Sequence, residues 1–286
     1  MKTALTIAGS DSSGGAGIQA DLKTFAAFGV YGTSAITAVT AQNTSGIAAA
    51  APLPADLVTA QIETVAADMQ IHATKIGMLA TSAIVEAVAA AIVELELPIV
   101  VLDPVLVSSS GERLLDADGI QALRRELLPL ARVVTPNIPE AEALSGRRIR
   151  SLDDARGAAR QLHDMGARAV IIKGGHAPVR TDYAPATDVI DLLVDDRAVH
   201  EFRTARVESP HAHGTGCAFA SAVAAGLALG FALTDAARDA QAYVAGAIRH
   251  GLALGHGRGL LDHFWTRADG PPEGGLHKGG HRILRS

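Results

Sequence analysis

Short runs of β-branched and apolar residues alternate with alanine-rich stretches of helical period along most of this chain. That alternation limits the possible folds most strongly, because it is typical of a mostly parallel sheet with helices on both faces. We predict an α/β fold with strands at Ala4–Ala8, Thr33–Val39, Thr74–Ile76, Ile99–Leu102, Arg132–Thr135, Ala169–Ile172 and Val189–Val194. The predicted helices are Ile18–Phe28, Ala55–Met69, Ser82–Leu95, Ile120–Leu128, Leu152–Met165, Thr215–Leu229 and Asp235–His250.

Composition narrows the class of protein and the number of domains. A chain of 286 residues that is 48% hydrophobic is long enough for one large core. A net charge of −5 and 3% aromatic residues argue against a nucleic-acid binder, which needs a basic surface and stacking side chains. The sequence becomes rich in glycine, proline and basic residues near Thr266. We therefore predict one domain over residues 1–265 and a disordered tail over 266–286.

The uncharged stretch from Gly214 to Thr234 is long enough to cross a bilayer. Alanine and glycine dominate it, however, and no basic residues flank it closely, so a membrane span is disfavoured. The apolar run after Met1 and Lys2 is too short for a secretion signal. One unpaired cysteine, Cys217, suits a reducing compartment, and we expect a cytoplasmic protein.

Polar side chains follow several of the predicted strands, at the edge of the sheet where ligands bind in such folds. Gln42, Asp103, Asn137 and Lys173 all stand at or just beyond strand ends. An amide such as Gln42 donates and accepts at once, which suits a heterocycle with an amino group beside a ring nitrogen. The carboxylate and the lysine are suited to a metal-bound polyphosphate. Asp, Asn and Gly also occur at strand ends purely as turn formers, and that alternative stays open here.

The glycine-rich segment GSDSSGGAGIQAD follows the first strand and opens a helix. Its free N–H groups are candidates to hold an anion, although a plain turn explains it equally well. It is not a Walker loop, because no Lys-Ser or Lys-Thr follows the last glycine. Gly15–Ala20 fits a dinucleotide fingerprint, but the acidic residue expected about twenty positions later is missing. A hydride-transfer enzyme is therefore a weak alternative.

A second glycine-rich turn, HGTGC at residues 213–217, opens a long apolar helix. Gly214 and Gly216 allow close approach of a ligand, and the helix start directs unpaired N–H groups outward, so the turn is a candidate anion hole. A thiol in the first turn of a helix has its thiolate favoured, which predicts a reactive Cys217. The alternative is a small buried thiol with no chemical role.

The chain contains, in this order, AGSDSSGGAGIQADLKTFAAFGVYG, AQNT, TKIGML, VLDPV, TPNIPEAEAL, KGGH and HGTGC, and the resemblance that they carry covers roughly Thr3 to Phe264. The set resembles the hydroxymethylpyrimidine/phosphomethylpyrimidine kinases, which are ribokinase-like enzymes of thiamine biosynthesis. The resemblance implies a three-layer α/β/α domain with a mostly parallel sheet, usually forming a homodimer. It implies an enzyme that uses ATP and Mg²⁺ to phosphorylate 4-amino-5-hydroxymethyl-2-methylpyrimidine and then its monophosphate.

The same resemblance implies a role for each site residue. The anion hole, with its catalytic thiol and a lysine that neutralises phosphate charge, would comprise Gly214, Thr215, Gly216, Cys217 and Lys173. Gln42 would bind the aminopyrimidine edge in a pocket shaped by Asp21, Ala16 and Met78. The residues near the nucleotide would be Thr135, Asn137, Lys173, Gly175 and His176, and Mg²⁺ would be served by Asp103 and Glu140. Cys217 would act either as a proton acceptor or as an orienting group.

Two further alternatives differ in their activity. A pyridoxal kinase has the same fold, and some members of the family phosphorylate both rings. A catalytically silent ligand-binding protein is less consistent with the presence of Asp103, Lys173 and Cys217.

Overall fold

The computed structural model describes residues 1–108, 111–176, 187–196, 198–209, 211 and 213–266. Within these residues a nine-stranded sheet runs in the order β3-β2-β1-β4-β5-β6-β7-β8-β9. The strands are β1 Thr3–Asp11, β2 Tyr31–Asn43, β3 Gly46–Pro52, β4 Ala73–Ile76, β5 Val100–Leu102, β6 Val133–Val134, β7 Ala169–Ile172, β8 Asp188–Asp195 and β9 Val199–Ala205. The six strands from β2 to β7 in this order pair in parallel, whereas β3, β8 and β9 add to the two ends by antiparallel pairing.

The helices cover both faces of the sheet. They are α1 Gly17–Ala27, α2 Ala55–Asp68, α3 Ser82–Glu94, α4 Ala117–Ala122, α5 Ile138–Ser145, α6 Leu152–Asp164, α7 Thr215–Ala228 and α8 Leu233–Arg249. One hydrophobic cluster lies between the sheet and α2 to α6, and a second lies between the sheet and α1, α7 and α8. Neighbouring strand residues alternate between the clusters, as Val101 and Leu102 do, because successive side chains of a strand point to opposite faces. The predicted three-layer α/β/α architecture is confirmed.

Each predicted strand and helix is present, with boundaries that differ by a few residues. The largest difference is in the predicted helix Ile120–Leu128, which begins at Ala117 and continues beyond α4 as a π-helical turn, Leu123–Leu127. A 3₁₀ turn over Leu128–Leu130 then ends it, because Pro129 has no N–H to continue the helical hydrogen bonds.

The sequence patterns do not predict β3, β9 or α5. Strand β3 reads GIAAAAP, a composition with low strand propensity, and its hydrogen bonds to β2 hold it in the sheet. Helix α5 begins with Asn137 and Glu140, whose side chains each accept the other's backbone N–H in a capping box. The sequence Asn-Ile-Pro-Glu is therefore a capping-box helix start, which is a second role for residues that also follow a strand end.

The stretch from Gly214 to Thr234 forms α7, a turn and the start of α8. Almost every residue of α7 beyond its first turn is buried against the sheet and its helical neighbours. Among the described residues, no helix combines the length and apolar character that a membrane crossing needs. Of the predicted tail, only Thr266 belongs to the described residues.

Candidate active site

The parallel strands bring four chain segments together at their carboxyl ends. Backbone hydrogen bonds continue past the strands and hold these segments in register: Gly77 N–H to Ile7 C=O, Asp103 N–H to Ile76 C=O, Thr135 N–H to Leu102 C=O, and Lys173 N–H to Pro136 C=O. Polar residues that are far apart in the sequence therefore become neighbours at one edge of the sheet, as the strand-end rule predicts.

A buried ion pair lies at the centre of this edge. Lys173 Nζ is 2.7 Å from Asp103 Oδ1, and only 2% of the Asp103 side chain is exposed. Burial alone would lower the pKa of Lys173, but the charges of Asp103 and Glu140 outweigh it and raise that pKa, so the amine is protonated. The hydroxyl of Thr135 lies 3.4 Å from the same Asp103 oxygen. The ammonium group of Lys173 is thus held in place by a more deeply buried counter-ion, Asp103.

The first turn of α7 lies directly over this ion pair. A Cβ atom added to Gly216 would be 3.3 Å from Lys173 Nζ and 3.6 Å from Asp103 Oδ2. Gly214 precedes the helix with φ +83°, a left-handed conformation that favours glycine. A Cβ there would also overlap the carbonyl oxygen of Gly15. The N–H groups of Thr215, Gly216 and Cys217 belong to the first helical turn, which has no intrahelical acceptors for them. An anion would be favoured at this position by both the N–H groups and Lys173.

Cys217 differs from the expectation of a favoured thiolate. Part of its surface is accessible, yet the surrounding protein desolvates the thiol, and this burial is the main cause that raises its pKa to about 11. Asp21 and Asp103 raise the pKa further, whereas Lys75 and the backbone N–H of Gly17 lower it. The helix start therefore does not determine the charge state, and at neutral pH Cys217 is a protonated thiol.

Asp21 lies beneath the site and not at its surface. Its carboxylate is completely buried and accepts hydrogen bonds from Thr6 Oγ1 at 2.6 Å, Lys75 Nζ at 2.9 Å and Ser221 Oγ at 2.7 Å. Asp21 has no exposed surface to offer a ligand, so it would shape the substrate pocket only through the residues that it holds. Through these three hydrogen bonds the Asp21 side chain connects β1, β4 and α7.

Several N–H groups of the glycine-rich loop after β1 are bonded within the protein. Asp11 accepts the backbone N–H groups of Ser13 and Ala16, each at 2.8 Å, and the hydroxyl of Ser13. Gly14 N–H is bonded to Asp11 C=O, and Gly17 N–H is directed to Cys217. The N–H groups of Ser13, Gly14, Ala16 and Gly17 are thus occupied within the protein, which disfavours phosphate binding there and the dinucleotide interpretation that depended on it.

Gln42 lies at the other side of the loop, half-buried, within reach of His213. The distance from Gln42 Nε2 to His213 Nε2 is 3.3 Å, and His213 Nε2 is 3.0 Å from Asp11 Oδ2. Ala16 and Met78 are also half-buried near this region, and Met78 Sδ would be 3.0 Å from a Cβ on Gly9. These groups form a continuous arc that runs from Gln42 through His213 and the first turn of α7 to Lys173.

The predicted metal ligands and nucleotide residues have structural contacts of their own. Glu140 Oε2 accepts Asn137 N–H at 2.8 Å, and Asn137 Oδ1 accepts Glu140 N–H at 2.9 Å, so both residues cap α5. Burial, followed by the charge of Asp103, raises the pKa of Glu140 to about 7 against the opposing effect of Lys173. Gly175 lies in the 3₁₀ turn Gly174–His176, with its carbonyl accepting from Arg206. The side chain of His176 lies outside the described residues.

Four residues of this region were given no role by sequence reasoning: Asp11, Lys75, His213 and Asp191. Asp11 is the last residue of β1, and Lys75 precedes the last residue of β4. Both therefore also lie near the carboxyl ends of strands, where ligands bind in such folds. Asp191 lies inside β8, where its two oxygens accept from Gly174 N–H and from Gln241 Nε2, each at 2.8 Å. Burial raises the pKa of Asp191. A single carboxylate within the apolar run VIDLLV was the available sign of such a buried partner.

Known kinases resemble this chain in sequence and in fold. A family model described as phosphomethylpyrimidine kinase matches residues 11–262. The hydroxymethylpyrimidine/phosphomethylpyrimidine kinase of Haemophilus influenzae is 47% identical over 264 residues, covering 92% of this chain and 97% of that protein. A thiamine biosynthesis bifunctional protein of Geobacter sulfurreducens is 45% identical, and the match covers 93% of this chain but 53% of that protein. Bacillus subtilis pyridoxal kinase, solved as an ADP complex, superposes with a TM-score of 0.84 at 37% identity, covering 94% of this chain and all of that one, 100%.

Proposed function

Because this chain belongs to the phosphomethylpyrimidine kinase family, we propose that it phosphorylates 4-amino-5-hydroxymethyl-2-methylpyrimidine and then its monophosphate, with ATP as donor. The product is the pyrimidine diphosphate used in the biosynthesis of thiamine diphosphate. The observation that carries this proposal is the first turn of α7, which lies over the Lys173–Asp103 pair and beside the loop that adjoins Gln42. The proposed phosphate site at the start of α7 thus lies beside the Gln42 amide that would bind the pyrimidine.

The phosphate side of the reaction is served by positive charge and backbone donors. Phosphoryl transfer is catalysed mainly by positioning and by electrostatic stabilisation of the moving group. The N–H groups of Gly214–Cys217 and the amine of Lys173 supply both at one place. Removing one donor from such a hole typically costs a factor of about 10²–10³ in rate.

Asp103 and Glu140 fit a magnesium ion that accompanies the nucleotide. Both are buried carboxylates, and the charge of Asp103 raises the pKa of Glu140, so the two groups repel each other. Mg²⁺ in kinases is usually bound by one or two carboxylates together with phosphate oxygens and water. These residues would hold Mg²⁺, which would neutralise and orient the phosphates of ATP. Thr135, Asn137, Gly175 and His176 are assigned to the neighbourhood of the nucleotide.

The pyrimidine is bound at the other end of the arc. The Gln42 amide pairs with the ring's amino group and adjacent nitrogen, and Ala16 and Met78 bound the ring. Asp21 contributes from beneath by holding Lys75 and α7. Cys217, a protonated thiol, orients the acceptor and the anion hole and does not remove a proton.

The test is separation of the reaction products by chromatography after incubation with MgATP and each pyrimidine as sole acceptor. We expect monophosphate from the alcohol and diphosphate from the monophosphate, with no ATP consumed when both are absent. Lys173→Met should slow both steps by about a hundredfold or more. ATP hydrolysis without any phosphorylated pyrimidine, or ligand binding without turnover, would contradict the assignment.

Gln42→Leu tests the pyrimidine side separately. Removing the amide leaves the polar edge of the ring unpaired, which should weaken binding by about 1–3 kcal/mol. Calorimetry of the pyrimidine alcohol with wild type and variant measures this difference. An unchanged affinity would remove Gln42 from the binding site.

A second activity, phosphorylation of pyridoxal, is favoured by the similarity to Bacillus subtilis pyridoxal kinase at 37% identity. The same product assay with pyridoxal as acceptor decides it. The homodimer and the cytoplasmic location expected from the sequence remain predictions.

A further inference from the structure

The Gln42 amide is enclosed by two polar groups that together decide which way round it lies. His213 Nε2 is 3.3 Å from one of its terminal atoms, and Thr40 Oγ1 is 3.2 Å from the other. We infer that Asp11 and His213 are positioning residues that hold the Gln42 oxygen toward His213 and its nitrogen toward Thr40. The inference rests on the proposed function, in which Gln42 binds the pyrimidine edge.

The carboxylate of Asp11 determines which nitrogen of His213 carries a proton. Burial alone would raise the pKa of Asp11, but the hydrogen bonds from His213 and Ser13 lower it, so the group is a carboxylate at neutral pH. A ring nitrogen 3.0 Å from a carboxylate oxygen must carry a proton to form a hydrogen bond. His213 Nε2 is therefore a donor.

That donor faces the Gln42 amide. With Gln42 Nε2 toward His213, two N–H donors would face each other across 3.3 Å. The two terminal atoms of an amide are nearly equal in size, so their hydrogen-bond partners decide which is the oxygen. An oxygen at this position accepts from His213 Nε2–H, which then serves both Asp11 and Gln42.

The Thr40 side requires the same orientation for an independent reason. Thr40 Oγ1 is 2.9 Å from the carbonyl of Ser10, an acceptor that requires the single hydroxyl proton. Thr40 then has no proton left for a Gln42 oxygen, but its lone pairs can accept from a Gln42 N–H. One rotation of the amide by a half turn therefore removes both conflicts.

The orientation has a consequence for the ligand. After these bonds the amide retains one free lone pair on the His213 side and one free N–H on the Thr40 side. A ring that donates from an amino group must then place that group toward His213, and its ring nitrogen toward Thr40. A 4-oxo analogue of the pyrimidine has the opposite order, an acceptor followed by an N–H, and is rejected.

The experiment compares kcat/KM for the 4-amino pyrimidine alcohol and its 4-oxo analogue. Wild type should prefer the 4-amino compound by at least about 100-fold, because a site built for one hydrogen-bond order leaves the other unpaired. His213→Leu frees the amide to turn and should reduce this preference by about tenfold or more. His213→Gln, whose terminal NH₂ can replace Nε2–H, should restore most of it. Thermal unfolding of each variant checks that it is folded.

The outcomes separate positioning from packing and from the proposed function itself. Equal losses for both compounds in His213→Leu, or an unchanged preference, would overturn the inference. Thr40→Val, which keeps the shape of the buried side chain but removes the acceptor, should also lower the preference and serves if His213→Leu does not fold. A crystal structure of the complex with the amino group directed toward Thr40 would equally overturn it. If wild type phosphorylates neither compound, the proposed function fails as well.

Discussion

A desolvated thiol beside two carboxylates ionises at higher pH than a free cysteine, and this determines what Cys217 can do. With a pKa of about 11, roughly one Cys217 side chain in a thousand is a thiolate at pH 8. A free cysteine with a pKa of about 8.5 is ionised to roughly a quarter at that pH. This charge state argues against a base or a nucleophile and supports the orienting role proposed for Cys217.

Alkylation of Cys217 by iodoacetamide should accordingly be slow. We expect a rate at pH 8 about a hundredfold below that of the urea-unfolded chain, because only the thiolate reacts. The rate should still be rising between pH 9 and pH 11. Mass spectrometry of the modified chain measures it, and a plateau reached below pH 8 would show an ionised thiol.

The effect of Cys217→Ala on the two phosphorylation steps follows from the same charge state. A protonated thiol accepts no proton, so the variant should slow the alcohol and the monophosphate reactions by similar factors. A base is needed only for the alcohol, since the monophosphate already carries an anionic oxygen near neutral pH. A loss confined to the alcohol step, measured with each acceptor alone, would restore Cys217 as the proton acceptor.

Glu140 combines a structural and a proposed metal role, and one substitution separates them. Glu140→Gln keeps an oxygen that can accept Asn137 N–H, so the cap of α5 survives, but the charge is lost. We expect the Mg²⁺ concentration for half-maximal activity to rise about tenfold, with thermal stability little changed. Asn137→Ala is the matched control, because it removes the other half of the cap and should lower stability by about 1 kcal/mol. An unchanged Mg²⁺ requirement in Glu140→Gln would exclude the metal role.

At the scale of elements, the start of α7 depends on a contact between two glycine-rich loops. Gly214→Ala forces a side chain into a left-handed conformation and into the carbonyl of Gly15. Gly230→Ala is a matched control, since Gly230 has φ +92° but an added Cβ meets nothing within 4 Å. The control should lose about 1 kcal/mol of unfolding free energy. Gly214→Ala should lose clearly more and reduce turnover by about a hundredfold or more. If urea unfolding shows equal losses of unfolding free energy in the two variants, the contact between the two loops does not stabilise the protein.

Some elements of this fold can be predicted from the sequence and others cannot. The central strands and long helices are predictable because their periodicity coincides with burial on one or both faces. Strand β3 is not, since four alanines carry little preference and the neighbouring strand decides their conformation. The positions of Asp103, Lys173 and Gly214–Cys217 follow from strand ends and a helix start. The burial of Asp21 and the high pKa of Cys217 depend on partners distant in the sequence, which no local pattern contains.

At the scale of the whole molecule, the segment after α8 ties the end of the domain to its beginning. His263 is buried beside Thr24 and Tyr243, and Trp265 donates to the carbonyl of Tyr243. Burial, followed by the charge of Lys23, lowers the pKa of His263 to about 4. The folded protein therefore resists a proton that the unfolded chain accepts near pH 6.5.

This shift predicts an acid-sensitive contribution to stability. The pKa of His263 is lower in the folded protein than in the unfolded chain, so the free energy of unfolding decreases as the pH drops below 6.5. The loss is complete below about pH 4. At pH 5 the cost is on the order of 2 kcal/mol. Glu140 has the opposite sign, because its raised pKa favours folding as pH falls from 7 toward 4.5. The measurement is thus the difference in urea-unfolding free energy between wild type and His263→Gln, which should shift against wild type from pH 7 to pH 5. A difference independent of pH would contradict the assignment.

The contact of Gly15 with Gly214 also bears on synthesis of the chain. Asp11 and His213, or Asp21 and Ser221, are separated by about two hundred residues, 202 and 200 respectively, yet touch in the folded protein. A growing chain that has emerged only as far as β9 already contains Asp103 and Lys173 but lacks the turn that lies over them. A chain that ends before α7 therefore lacks both the turn that lies over Lys173 and the contacts that hold α7 against β1 and α1.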